Sequence, residues 1–284
     1  MPELTDPLEA MGPIAAQVSD VRLLPLAIGV ALQIARLLTL GGVWLRVLRA
    51  ALPGTMIRRR DALVPYLVAA GVNAVVPARA GLATRAVLTR RRVPAAAYET
   101  IAGGIAAETL LAAIPLGLLV AVAAATGLLG QATGHAALRL PSWLAPGLWW
   151  WVGAALAVSL PAALAAHPSV RRRAGRAAAR ARQGMRVLAG WRTLVPALAG
   201  HLVAWALRIA SVMFLLAAFG LPGTVQLAVL VVLAQSLAGL VPVSPGGAGP
   251  QQALIVVALG GAVSASSALA FGVGLQAAIL AADL

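Results

Sequence analysis

Residues 23–45 read LLPLAIGVALQIARLLTLGGVWL, a run in which Arg36 is the single charged side chain. As a helix it would extend roughly 34 Å, and a bilayer core about 30 Å thick needs about 20 such apolar residues. Similar runs cover about 95–129, with Pro115 a kink candidate, and about 144–166, 193–219 and 264 to the end. Two shorter runs break off early, one near 62 to Pro77 and one from about 225 to 241 before Pro242 and Pro245-Gly246-Gly247. A brief apolar piece follows at 251–259. The reading is an all-α polytopic integral membrane protein with about seven hydrophobic spans, two of them broken.

Composition agrees. The chain is 61% hydrophobic and 11% charged, against roughly 45–50% and about 25% in soluble domains. The first twenty residues carry Glu3, Asp6, Glu9 and Asp20 and no basic residue, which is not a cleavable signal pattern. With no cysteine, disulfides, thiol catalysis and Cys-ligated metal are excluded. His135, His167 and His201 are scattered, and no nucleophile–base pair stands out, so neither an enzyme, a metal nor a cofactor is expected. The net charge of +14 comes from arginines lying between apolar runs, which points to loop topology and away from nucleic acid.

Those arginines orient the chain. Segments 46–60, 90–92 and 168–192 are basic and expected in the cytoplasm, the last as a long basic loop, while the acidic N-terminus is expected outside. The pattern closes only if the two short spans enter, break at proline and return to their own side. Non-helical backbone at membrane depth is tolerated where it is buried in protein or lines a wet cavity. Two such breaks therefore imply a site.

The breaks also match each other. Pro77-Ala78-Arg79-Ala80-Gly81 aligns with Pro245-Gly246-Gly247-Ala248-Gly249 at an offset of 168, which also puts Gly104 on Gly272 and Glu108 on Gln276. The expected arrangement is one membrane domain holding an inverted repeat, with units at about 61–129 and 225–284. The competing reading is that proline and glycine merely kink ordinary spanning helices.

With Asn73-x-x-x-Pro77-x-x-x-Gly81-x-x-x-Arg85, Ser244-Pro245-Gly246-Gly247-Ala248-Gly249, and Trp44 and Arg46 closing the first span, the chain resembles the flippase-like transmembrane region of lysylphosphatidylglycerol synthetases. The resemblance covers nearly the whole chain. It implies a bacterial inner-membrane protein related to machinery that moves aminoacylated or glycosylated lipids between leaflets, without the soluble synthetase domain. Three departures stand out. The family usually has one more span before the first one here. It often shows Glu-Arg-x-x-Asp where this chain has Glu108-Thr109-Leu110-Leu111-Ala112. An acid commonly follows its Pro-Gly-Gly motif, where this chain has Gln252.

Ionisable groups at membrane depth are costly and usually face a partner or a cavity. Arg36, Glu108 and Arg208 fall near the middles of their spans, and Arg79 and Arg85 lie on the first re-entrant piece, where a helix N-terminus also favours an anion. Arg36, Arg79, Arg85 and Arg208 are the candidates for a lipid phosphate, with Glu108 as their charge partner. Two arginines against one carboxylate leave a surplus positive charge; the alternative is a structural ion pair with the other arginines snorkelling. Asn73, Gln251, Gln252 and Gln276 are expected to bond backbone freed at the breaks. His201 is read as structural. The expected partners are anionic membrane lipids. Two functions remain open: a lipid translocase, or a non-transporting scaffold for a partner lipid-modifying or glycosyl-transferring enzyme.

Overall fold

The structure, a computed structural model, describes residues 21–76, 80–128, 168–239 and 249–284, with the side chains of 168–174 left aside. The expected fourth span at 144–166 and its flanking loop lie outside these residues. Among the described residues the chain is helical, with no strand. Four helices are long and apolar enough to cross a membrane: α1 (Leu23–Ala51), α4 (Tyr98–Ala125), α6 (Trp191–Ala218) and α9 (Ala265–Asp283). α4 continues through Pro115. The chain is a multi-pass membrane protein.

The shorter helices form two pairs. α2 (Arg59–Val75) and α3 (Ala80–Arg92) fold back on each other, and α7 (Val225–Ala238) packs on α8 (Pro250–Leu259). Local chemistry sets where these helices begin. The Asp61 carboxylate accepts the Arg58 N–H at 3.1 Å, and Thr224 Oγ1 accepts the Leu227 N–H at 3.4 Å. Pro250 opens α8 at the position where its missing N–H costs nothing.

α1 and α6 are the central antiparallel pair. Gly29 lies against Leu215 and Ser211, and Gly200 against Val43, while the Arg22 N–H donates to the Ala218 carbonyl at 2.9 Å. At the end away from Arg22, the Gln183 amide donates to the Ala51 carbonyl at 3.0 Å and Arg49 donates to the Ile57 carbonyl at 2.9 Å. The stretch expected as a basic loop is instead an α-helix, α5 (Pro168–Gly184), followed by a 3₁₀ turn at Met185–Leu188. It presses on the start of α4 so closely that a Cβ on Gly103 would overlap the Ala181 carbonyl. Arg180 pairs with Glu99 there at 3.5 Å. The described basic segments therefore gather at one end of the bundle.

Two apolar cores flank the middle. One surrounds Trp44, Val47, Ile101, Leu111 and Val187, near the arginine-rich end. The other surrounds Leu215, Val231, Ile255, Phe271 and Leu275. Polar side chains occupy the space between them.

Candidate functional site

α1 supplies Gln33 and Arg36 one turn apart, and α6 supplies His201, Trp205 and Arg208 on one face. Three adjoining cavities, of about 290, 160 and 240 Å³, all share Arg36 in their walls. Arg36, Arg85, Glu108, His201 and Arg208 line the largest. Gln33, Arg208, Gln235, Gln251 and Asp283 line the smallest, and Asn73, Gly81, Arg85 and Asp283 line the third. Together they form a polar seam running from the first helix pair to the second.

Arg85 is held by an ion pair and two aromatic rings, with its Nε left unpartnered. Its Nη1 lies 2.7 Å from Glu108 Oε2, with both side chains 7% exposed. Its guanidinium also stacks 4.4 Å from the centroid of Trp44 and 5.3 Å from that of Tyr66. A desolvated pair so enclosed fixes α3 against α4, and its charges cancel. Of the two readings of Glu108, the ion pair is the one the geometry shows.

Arg208 is differently placed. Its Nη2 donates to Gln235 Oε1 at 3.0 Å, a neutral acceptor, and its guanidinium lies 5.5 Å from the Trp205 ring. Among the described residues it has no carboxylate within ion-pair distance, and neither has Arg36. The acid nearest in kind is Asp283, which lines two cavities with Arg36 and sits beside Gln33. The charge account thus changes from the one read off the sequence. Among the described lining residues three guanidiniums meet two carboxylates, and one positive charge remains.

Four buried polar atoms of the seam's described lining residues have no hydrogen-bond or ion-pair partner: Arg85 Nε, His201 Nε2, Gln251 Nε2 and Asp283 Oδ1. Unpaired buried polar groups are uncommon and call for a reason, which a bound polar ligand or water supplies.

The break residues fall in two sets. Asn73 Oδ1 accepts the Gly81 N–H at 2.8 Å, and Gln252 Oε1 accepts the Gly249 N–H at 2.6 Å, so each amide closes backbone freed at its break. A Cβ on Gly81 would overlap the Ala69 carbonyl, and Gly249 has φ of 90°, a region open chiefly to glycine. Pro77, Arg79, Pro245, Gly246 and Gly247 lie outside the described residues. Gln251 faces the cavity and leaves the backbone to Gln252.

Comparison with known families matches residues 9–283 to the lysylphosphatidylglycerol synthase TM region. The chain belongs to that family. No curated protein and no solved structure matches it. Membership relates the chain to membrane proteins of lipid modification or flipping.

Sequence reading missed several of the residues that line these cavities. Asp283 carried a usable signal, being the only acid after Glu108. Gln33 had a weaker one, one turn before Arg36 on the same face. Tyr66, Trp205 and Gln235 had none, since aromatic and amide residues in apolar runs are ordinary. His201, taken as structural, is buried in the cavity wall.

Proposed function

We propose that this protein binds a phospholipid or lipid-linked substrate by its anionic group in the central cavity and carries it across the bacterial inner membrane. The observation that carries the reading is the convergence of Arg36 and Arg208, neither neutralised by an ion pair, on space lined with unpartnered polar atoms. Arginine's planar fork suits phosphate oxygens. Acyl chains would stay in the surrounding lipid. A scaffold for a partner enzyme needs no such seam, so the cavity supports transport over scaffolding.

The helix pairs supply the path. α1 to α4 and α6 to α9 begin at spacings of 168, 166, 170 and 167 residues. These spacings support a recurrence that takes in the central helices as well as the units at about 61–129 and 225–284. We read α2–α3 and α7–α8 as re-entrant halves of an inverted repeat, with the arginine-rich end cytoplasmic and the N-terminus outside. Alternating exposure of a fixed midplane site follows from that symmetry. With no native thiol, single-cysteine labelling tests the topology: position 91 should react only from the cytoplasmic side, and outside-only labelling would show that α2 crosses.

The binding test is lipid retention by native mass spectrometry of the full chain. Arg36→Gln and Arg208→Gln should each weaken retention of an anionic lipid roughly tenfold or more, since a charge-assisted hydrogen bond contributes about 1.5–3 kcal/mol. Arg176→Gln, on the exposed face of α5, should cost only a salt-screened term. Equal losses from all three would leave a basic surface as the lipid contact and remove the cavity from the mechanism.

A further inference from the structure

Resting on that reading, the charge arrangement goes further and specifies the ligand's ionic state. We propose that the cavity accepts one singly charged group, a phosphodiester in preference to a phosphomonoester, and that Asp283 sets this limit. Among the described residues, the titratable and charged side chains facing the space are Arg36, Tyr66, Arg85, Glu108, His201, Arg208 and Asp283. Glu108 uses Arg85 at 2.7 Å, which leaves Arg36, Arg208 and Asp283 to meet a ligand.

Asp283 is placed to offset one of the two remaining guanidiniums. It reaches the site because the end of α9 is wedged against α2, where a Cβ on Gly71 would lie 2.9 Å from the Asp283 carbonyl. That seats the carboxylate beside Gln33 and Arg36, in the walls of two cavities. One uncompensated positive charge is left among the described residues. A phosphodiester anion brings the set to neutrality. A dianion would leave a negative charge at membrane depth, where an unpaired ion is costly. Donors and acceptors divide the same way. Arg36, Arg208 and the unpartnered Gln251 Nε2 offer hydrogen atoms to phosphate oxygens. Asp283 Oδ1 is an acceptor without a donor, and it repels a further unprotonated oxygen.

The test uses the full chain in phosphatidylcholine nanodiscs at pH 7 to 9. Two probes with the same acyl chains compete: phosphatidylmethanol, a phosphodiester with one charge and no headgroup chemistry, and phosphatidic acid, a phosphomonoester. Phosphatidic acid must hold its second proton to enter as a monoanion, and the cost of holding it rises about tenfold per pH unit above that group's ionisation. The wild type should therefore prefer phosphatidylmethanol, by a ratio that widens as the pH is raised from 7 to 9. Asp283→Asn leaves two positive charges and should erase or reverse that preference, while Asp283→Glu should keep it. Gln33→Glu adds a second carboxylate beside Arg36 and should weaken both lipids together, giving an independent check should Asp283→Asn fail to fold. A wild type that prefers phosphatidic acid or binds the two equally would overturn the charge limit, and the anion site itself would stand. A preference unchanged in Asp283→Asn, or binding unchanged in Gln33→Glu, would overturn the role of Asp283. Retention of both lipids indifferent to Arg36→Gln and Arg208→Gln would instead remove the anion site on which the proposal rests.

Discussion

The two halves of the bundle put different chemistry on corresponding helices. In α3 and α4 the pair is Arg85 and Glu108, 2.7 Å apart and enclosed by Trp44 and Tyr66. At an offset of 168 residues, α8 and α9 carry Ala253 and Gln276. The second half instead presents amides to the cavity, Gln235 and Gln251, with Arg208 bonded to the first of them. The first half is closed at Arg85, whose charge is consumed by its own carboxylate, although Arg36 on α1 has no carboxylate within ion-pair distance among the described residues. In the amide half a neutral acceptor orients Arg208 and leaves its charge uncancelled. A carboxylate opposite an arginine builds a strut, and an amide opposite an arginine leaves the charge facing the cavity.

The sharpest way to break that comparison is to open the closed half. Removing one partner of a buried ion pair costs about 3–5 kcal/mol, because the survivor is left as an uncompensated charge. Arg85→Gln or Glu108→Gln should therefore lower the unfolding midpoint in detergent on the order of 10 °C. Replacing both at once, as Arg85→Met with Glu108→Leu, should recover most of the loss. Full stability in Arg85→Gln alone would mean that the pair does not hold α3 to α4, and Arg85 would return to the list of ligand contacts. Arg208→Gln should be mild in the same assay, since an amide remains to meet Gln235.

Next in size are two glycines 168 residues apart, one beside each helix break. Gly81→Ala drives a methyl group into the Ala69 carbonyl and the Asn73 side chain, where backbone must move. Overpacking of this kind costs about 1–3 kcal/mol. Gly249→Ala meets no atom within 4 Å, and its cost is conformational, from φ of 90°. With ψ of −76° the residue lies outside the left-handed helical region, and about 1–3 kcal/mol is expected for an L-residue there. Thermal unfolding ranks the pair, and a larger loss at Gly249 would show that backbone strain outweighs close packing at the breaks.

How much was legible beforehand follows from which signals are local. Span positions were, because an apolar run between arginines is a local pattern: the run at 193–219 became Trp191–Ala218, and that at 225–241 became Val225–Ala238. The break amides were legible too, since Asn73 and Gln252 serve backbone groups a few residues away. Membership of the family followed from the order of short motifs. Asp283 was not seen as a site residue, because Arg36, with which it shares two cavity walls, lies at the other end of the chain and only packing of α9 on α1 and α2 brings them together. Nor was the 168-residue spacing of α1 and α6, since the two helices are alike in length but share little sequence. The basic stretch at 168–192 looked like a loop because charge density was the visible feature. Its Ala- and Arg-rich sequence nevertheless has high helix propensity, and Gly103 and Gly184 give it a backbone-close seat on α4.

The smallest expected difference lies between the two break amides, and it separates a buried clasp from a surface cap. Asn73 Oδ1 receives the Gly81 N–H at 2.8 Å in a part-buried setting, bridging two helices eight residues apart in sequence. With Asn73→Ala, the Gly81 N–H loses its acceptor where the close approach of α2 hinders water from replacing it. Leaving such a donor unpaired costs about 1–3 kcal/mol. Gln252 Oε1 receives the Gly249 N–H at 2.6 Å, but that bond is exposed and caps only its own helix. Water replaces an exposed acceptor readily, so Gln252→Ala should cost about 0.5–1 kcal/mol, the low end for a cap. Hydrogen exchange of the two glycine amides gives a second readout: Gly81 should lose protection strongly in Asn73→Ala, and Gly249 should change little in Gln252→Ala. Equal losses at the two sites would mean that water does not replace the Gln252 acceptor and that the second break is enclosed like the first. The second helix pair would then have to be treated as closed backbone despite its amide-lined, open cavity.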